Sequence, residues 1–337
     1  MTDTDRSMLR YDVFNGDADG ICALHQLRLT EPAEAELVTG TKRENALLGR
    51  IRPAAGDLVT ALDIAMPGNR DALVAMLALG VRVTYVDHHE PGEIPTHPLL
   101  DATIDTAPTV CTSILVDRRL AGRHRPWAVV GAFGDNLAAP ARALAASLER
   151  DDATLARWRE LGECLNYNAY GMTEDDLVYR PAALYRALAG HPQPDGFIDG
   201  EPHFERLRTA RTEDLARARA CAPIPVDAVA RLHRLPEAAW ARRVSGSYAN
   251  LVFNEDPGRA QVIAVPRGPA APGEGEVLQL SLRMPLGSPV AAHEICAPFG
   301  GGGRRGAAGV DRLPEAMLGR FCEALGEALR RSGAGPA

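Results

Sequence analysis

Four short apolar runs in the N-terminal part of this chain each end in a carboxylate or a histidine, and this constrains the fold more than any other feature. Tyr11–Phe14 is followed by Asn15, Asp17 and Asp19, and Leu58–Ile64 carries Asp63 at its end. Val81–Val86 is followed by Asp87, His88 and His89, and Ala128–Phe133 by Asp135. Between these runs lie helical patterns at about Ile21–Leu29, Arg70–Leu79 and Thr109–Leu120. Four strands alternating with helices predict a parallel sheet covered by helices on both faces. In an open parallel sheet, ligands bind beyond the carboxyl ends of the strands. Four separate segments are therefore expected to deliver their acids and histidines to one edge.

The remainder reads differently. Ala141–Tyr185 is mostly helical in pattern, Gly190–Pro202 is the best linker, and Glu205–Ala220 is a charged, solvent-facing helix. Arg243–Phe253, Ala260–Val265 and Val277–Met284 read as strands, and Pro266–Gly275 as a Pro/Gly-rich hairpin or loop. Gly300–Gly309 reads as a glycine-rich loop and Pro314–Arg331 as a final helix, with no internal repeat. The expected fold class is α/β: a doubly wound, mostly parallel N-terminal sheet plus a smaller C-terminal α/β domain with a mixed sheet. The expected boundaries are a metal-binding domain at 1–190, a linker and connecting helix at 191–240, and a C-terminal domain at 241–337.

Composition narrows the function. At 337 residues and 46% hydrophobic content, two domains with real cores fit and disorder does not. A net charge of -7 offers no global basic surface for long duplex nucleic acid, and 5% aromatics no broad stacking platform. A small anion remains compatible, because local arginines or metals offset the overall sign. Cys22, Cys111, Cys164, Cys221, Cys296 and Cys322 contain no CxxC pair, which argues against a thiolate zinc site. No leader and no membrane-length apolar run is visible, so a cytoplasmic location with free thiols and no membrane partner is expected.

Carboxylates suit hard cations, and imidazole adds a preference for Mn, Fe, Co or Zn over Ca. Four aspartates with one or two histidines suit a dinuclear site. Two ions about 3.5–4 Å apart can hold a hydroxide nucleophile and stabilise both oxygens of an in-line displacement. Each segment alone has a blander reading. Asp17-Ala-Asp19-Gly20 is a common turn, Asp87-His88-His89 a surface turn, and Asp63 and Asp135 are helix caps. Residues 15–20 also mimic the start of an EF-hand loop, but Gln26 stands where that loop needs its bidentate Glu. The convergence of all four segments favours the metal site.

On these residues the chain resembles the DHH phosphoesterase superfamily over almost its whole length. The matching motifs are Asn15-Gly16-Asp17-Ala18-Asp19-Gly20, then Asp63, then Val86-Asp87-His88-His89-Glu90-Pro91, then Gly131-Ala132-Phe133-Gly134-Asp135. The resemblance implies two divalent ions, Mn by preference with Mg, Co or Fe as alternatives. They would be held by Asp17, Asp19, Asp63, His88 and Asp135, with Asp63 as the bridge. It implies that His89 meets the scissile phosphate and that Asp87 orients the histidines. Asn15 stands where some members carry a further histidine ligand.

The C-terminal part resembles the DHH-associated domain of the first type, through Leu280-Ser281-Leu282-Arg283, Phe299 and Gly300–Gly309. In the family that domain grips the nucleotide across a cleft from the metals. Ser281, Arg283, Gly301, Gly302, Gly303 and Arg304 are the substrate-binding candidates, and Arg304 replaces a histidine common there. Catalysis would rest on Asp63, His89 and Arg304. The implied activity is hydrolysis of a small nucleotide or short single-stranded oligonucleotide, with a homodimer as one compatible assembly. The rival from another class is a nucleotide-binding regulatory protein with an impaired metal site, motivated by Asn15 and Arg304. Gly301–Gly306 also satisfies GxGxxG, but without the strand before it and the βαβ unit after it that a dinucleotide fold needs.

Other residues have structural readings. Cys22 and Cys111 read as buried small hydrophobes, His25 as structural and His293 as helix surface. Thr109, Thr112 and Ser113 read as the start of a helix near the site. Leu165–Gly171 reads either as a cleft lining or as packing.

Overall fold

The computed structural model describes residues 7–44, 46–269, 275–285 and 287–331. The chain divides into two compact units, Met1–Thr209 and Ala210–Ala337.

The first unit contains β1 (Arg10–Phe14), α1 (Ala18–Thr30), β2 (Glu36–Val38), β3 (Leu58–Leu62), α2 (Arg70–Leu79), β4 (Arg82–Asp87) and β5 (Leu100–Ile104). Helices α3 (Thr112–Arg119), α4 (Arg125–Gly134), α5 (Ala138–Ala145), α6 (Asp152–Asn168), α7 (Pro181–Ala189) and α8 (Pro194–Gly200) follow, and α9 (Pro202–Arg219) begins in this unit and ends in the second. The sheet has the order β2-β1-β3-β4-β5 with every pair parallel. Its central strands are apolar on both faces, as buried parallel strands must be. Phe14, Leu62 and Val86 join one core with α1, α3, α4 and α6. Val13, Ala61 and Tyr85 join a second core with Leu73, Met76 and Leu77 of α2. The chain runs from β1 outward to β2, then returns to β3 on the other side. The β1/β3 boundary is thus the topological switch point, where such sheets bind ligands.

One expected strand is a helix. Ala128–Phe133 lies within α4, whose residues from Pro126 to Gly134 are all buried. A helix buried on every side shows no 3.6-residue period, so its apolar run mimics a buried strand. The two glycines explain the packing. A Cβ on Gly134 would lie 2.3 Å from Ala18 Cβ of α1 and 2.8 Å from the Gly162 carbonyl of α6. A Cβ on Gly131 would lie 2.4 Å from Ser113 Oγ. Asp135 is therefore delivered by the C-terminal end of a helix.

The segment expected as a linker is also structured. Phe197 of α8 and Phe204 and Leu207 of α9 are buried in the first unit's core, so that unit extends past residue 190.

The second unit contains β6 (Ile224–Asp227), β7 (Ala230–Arg234), α10 (Ala239–Glu255), β8 (Ala260–Pro269), β9 (Glu276–Arg283), α11 (Ala292–Cys296), β10 (Gly302–Gly303), β11 (Ala307–Pro314) and α12 (Leu318–Arg331). Its sheet is mixed, in the order β10-β11-β9-β8-β7-β6, with β7 and β8 parallel and the other pairs antiparallel. Leu278, Leu280 and Leu282 of β9 form its core with Phe321, Leu325 and Leu329 of α12. Because β6 and β7 belong to this sheet, the unit begins well before residue 241.

Arg243–Phe253, expected as a strand, lies in α10. Ala241, Val244, Ser245, Gly246, Tyr248, Ala249 and Val252 are its buried positions, a largely helical spacing that the β-branched and aromatic residues obscured. The glycine-rich segment is partly a β-hairpin, in which Gly302 pairs with Gly309 and Gly303 with Ala308. Gly303 has φ 143 and its missing Cβ would meet Ala308 Cα at 2.5 Å, so only glycine fits. The expected Pro266–Gly275 loop falls partly on β8, and 270–274 lie outside the described residues.

Candidate metal centre

The loop after β1 is built by short side chains that fold back on its own backbone. Asp17 is the N-cap of α1 and accepts hydrogen bonds from the N–H groups of Asp19 (3.0 Å) and Gly20 (3.1 Å). Asn15 Oδ1 accepts from the Asp17 N–H at 3.2 Å, and Asn15 Nδ2 donates to the Lys42 carbonyl at 3.3 Å. The Asn15 amide thus shapes the loop. Gly16 is required because a Cβ would meet the Gly40 carbonyl at 2.2 Å.

Asp19 reaches across to α3. Its two oxygens accept from the N–H groups of Thr112 and Ser113, each at 2.7 Å. A buried carboxylate at the first turn of a helix gains from the exposed N–H groups and the helix dipole. Thr112 also donates its hydroxyl to Asp63 Oδ1 at 3.1 Å. The expectation that Thr112 and Ser113 open a helix beside the site is thus met.

Asp63 follows β3 with φ 58, a left-handed backbone uncommon outside glycine. Its N–H donates to the Val86 carbonyl at 3.0 Å, which holds it beside the end of β4. His88 Nδ1 lies 3.1 Å from the Val110 carbonyl and donates to it in the tautomer that leaves Nε2 as a lone-pair donor. That Nε2 lies 3.4 Å from Asp63 Oδ1 and 4.0 Å from Asp19 Oδ2. His89 Nδ1 donates to Asp87 Oδ1 at 2.7 Å. One ligand atom each from Asp63, His88 and His89 lie within 4.8 Å of one another.

Asp135 caps the C-terminal end of α4. Its Oδ1 lies 3.6 Å from Lys42 Nζ, and Lys42 forms an ion pair with Asp17 Oδ2. The expected ligands thus fall into two groups, Asp19 and Asp63 beside His88, and Asp17 and Asp135 beside Lys42; of the five, only Asp63 and His88 belong to the compact cluster of ligand atoms found among the described residues.

The electrostatics show an excess of negative charge. Asp12 apart, which pairs with Arg28, the carboxylates of Asp17, Asp19, Asp63 and Asp87 are buried around this point. Burial, then the charges of Asp19, Asp17, Asp87 and Asp135, hold the Asp63 carboxyl well above the usual carboxylate range. Burial also raises Asp135, against the pull of Lys42. Asp17 is lowered, because the charge and hydrogen bond of Lys42 outweigh its burial. Burial disfavours the charged forms of Lys42 and His89, yet Asp17 raises the first well above its ordinary value and Asp87 raises the second.

The donor set fits a divalent cation on two counts. Asp87 Oδ2 and Asp135 Oδ2 are buried without a hydrogen-bond partner among the described residues. Unsatisfied buried carboxylate oxygens are costly, and a bound cation would satisfy them. The oxygens with one oriented imidazole match a Mn- or Mg-type ion, with imidazole tilting the preference towards Mn.

The second unit's candidates are placed as follows. Gly302, Gly303 and Arg304 are exposed on the β10–β11 hairpin, and Gly301 is half-buried. Arg283 Nε donates to Asn250 Oδ1 at 2.7 Å, and Ser281 is buried on β9.

Lys42 escaped the sequence reading. The signal that could have found it is compositional: of 37 Lys and Arg residues, Lys42 alone is lysine. Asn166 and Tyr170 of the polar-aromatic run also reach the centre, through that lysine.

No family model matches the sequence, and no curated protein matches it. The fold is similar to that of exonuclease RecJ bound to manganese, at 20% identity and TM-score 0.55, over 97% of this chain and 91% of that one. It is similar to RecJ in complex with Mn2+ from Thermus thermophilus, at 20% identity and TM-score 0.57, over 97% of this chain and 52% of that one. A pGpG-specific phosphodiesterase, PggH, from Vibrio cholerae matches at 14% identity and TM-score 0.54, over 96% of this chain and all of that one. At these identities the likeness establishes the α/β fold with its two sheets.

Proposed function

We propose that the chain is a metal-dependent phosphoesterase that hydrolyses a small nucleotide or a short single-stranded oligonucleotide. The observation that carries this reading is the approach of His88 Nε2 to Asp63 and Asp19, with Asp17 and Asp135 held beside Lys42 and Asp135 Oδ2 buried without a hydrogen-bond partner among the described residues. The likeness to a manganese-bound exonuclease and to a dinucleotide phosphodiesterase supports it. Up to two divalent ions, Mn by preference, would be held by these five residues, with Asp63 between them. Bound there, the ions would supply Lewis acidity towards water and the phosphate oxygens.

The chain's own residues supply the rest. Val110 and Thr112 fix the His88 ring and the Asp63 carboxylate, so that binding requires little reorganisation. His89, whose proton affinity Asp87 raises against burial and which is partly open to solvent, can when protonated donate a hydrogen bond from Nε2 to a phosphate oxygen or a proton to the leaving oxygen. Arg304, exposed on its hairpin with its N–H donated to the Ala307 carbonyl at 2.7 Å, carries a planar guanidinium suited to a phosphate. Arg283, half-buried and held by Asn250, is the second candidate on this unit, whereas Ser281 is buried in β9 and presents no surface to a substrate.

The test is hydrolysis of a panel comprising short oligoribonucleotides, a bisphosphorylated adenosine and cyclic dinucleotides, with added Mn2+. Turnover that disappears in Asp63→Ala is the expected result. Nucleotide binding without turnover under all metal conditions would refute the enzyme and favour a regulatory binder.

A further inference from the structure

The centre divides into two halves of different chemistry. On one side stand Asp63, Asp19 and the His88 imidazole. On the other stand Asp17 and Asp135, and between them lies the Lys42 ammonium. Lys42 Nζ forms its ion pair with Asp17, donates to Asn166 Oδ1 at 3.0 Å, lies 3.6 Å from Asp135 Oδ1 and lies 5.8 Å from the centroid of the Tyr170 ring. Two carboxylates and an amide oxygen are the donors that a hard divalent ion would take. The aromatic face adds a site that favours a positive charge.

The position of the ammonium is built in. β2 pairs in parallel with β1, so the residues that follow Val38 leave the sheet on the same rim as Asp17. The Lys42 N–H donates to the Ala169 carbonyl at 2.9 Å, and its carbonyl accepts from Asn15 at 3.3 Å. Its backbone is thus pinned to α6 on one side and to the first acidic loop on the other. Histidines aside, every other basic side chain of the chain is arginine. A planar guanidinium is a fork, whereas an ammonium is a compact point charge closer in shape to a metal ion. The one lysine stands where such a charge is needed.

We propose that Lys42 is a resident cation that controls metal stoichiometry. One divalent ion binds tightly in the Asp63–His88 half, and a second enters the Asp17–Asp135 half only by displacing the ammonium. This rests on the metal-dependent reading above and refines it: the two positions are unequal because one is held by a side chain. Displacement breaks charge-assisted hydrogen bonds in a largely buried setting, which should weaken the second ion by about ten- to a hundredfold relative to the first.

The experiment is Mn2+ titration of the metal-free full chain, by calorimetry and electron paramagnetic resonance, in the wild type and in Lys42→Met. The wild type should bind one ion tightly and a second at least about tenfold more weakly. Lys42→Met should bind two ions with comparable affinity and show the spectrum of a coupled pair. Two equally tight ions in the wild type, or an unchanged stoichiometry in a folded Lys42→Met, would overturn the proposal. A wild type that binds no ion would instead overturn the metal-dependent reading itself. Should Lys42→Met fail to fold, the wild type carries its own probe, since a chain with one lysine shows one Lys 13Cε resonance after selective labelling. Under Mg2+ titration that signal should be displaced by the second equivalent. A signal indifferent to both equivalents would overturn the proposal.

Discussion

Replacing Gly134 by alanine tests the packing that delivers Asp135. In an unconstrained helix this change stabilises by roughly 1 kcal/mol. Here the added Cβ would lie 2.3 Å from Ala18 Cβ and 2.8 Å from the Gly162 carbonyl. Non-bonded carbon atoms prefer about 3.5–4.0 Å, so α4 must back away from α1 by roughly an ångström. Neither obstacle is the end of a flexible side chain. Because neither obstacle can turn aside, the cost falls in the upper part of the range for overpacking, about 2–3 kcal/mol, which outweighs the helical gain. A net loss of about 1–2 kcal/mol should lower the melting temperature by roughly 2–8 °C in a unit of this size. Gly190→Ala is the control: Gly190 has φ -74 and nothing within 4 Å of its absent Cβ, so the melting temperature should hold or rise slightly. Thermal unfolding followed by circular dichroism reads both. Because Asp135 caps α4, Gly134→Ala should also weaken Mn2+ binding. A Gly134→Ala variant as stable as the wild type would refute the account of α4 as a helix pressed between α1 and α6.

Other predictions concern the polar framework. Thr112→Val removes the hydroxyl that hydrogen-bonds Asp63 and should lower both stability, by about 1–2 kcal/mol, and metal affinity in calorimetry; an unchanged affinity would exclude a positioning role. Arg304→Ala should raise KM for a phosphate-bearing substrate about tenfold or more; an unaltered KM would remove Arg304 from the substrate site. His25 is held down to about 4, first by burial, and remains neutral in the folded chain. The unfolded chain takes up that proton from its ordinary 6.5 downwards, so the stability that His25 contributes is present above pH 6.5 and lost as pH falls towards 4. From pH 7 to 5 this amounts to roughly 2 kcal/mol, and His25→Gln should flatten that part of a urea-melt pH series. Cys22, Cys111 and Cys164 are buried and Cys296 is pushed up to about 12 by burial, so alkylation of the native chain at pH 8 should spare all four and modify Cys221 first.

The parts legible in the sequence are those whose environment leaves a mark on composition. β1, β3 and β4 are largely buried on both faces and read as mainly apolar runs, interrupted by Asp12, Thr60 and Thr84 and followed by polar residues. β2 and β5 lie at the sheet edges, and exposed Glu36, Asp101 and Ala102 break their patterns. α4 was misread because full burial erases the amphipathic period, and its glycines, which suggest a turn, are there to admit neighbouring helices. The acids and histidines after β1, β3 and β4 stand out in the sequence because such residues directly after apolar strands form a rare pattern. Lys42 does not, because a cation is outside any search for cation ligands and its partners are remote: Asp17 is 25 residues away and Asn166 is 124.

Anomalous diffraction from crystals of the full chain grown with Mn2+ tests the central claim most directly. A peak within coordination distance of both Asp63 and His88 Nε2 is the predicted result. A map with manganese bound elsewhere on the molecule, or with no peak between those two side chains, would contradict it.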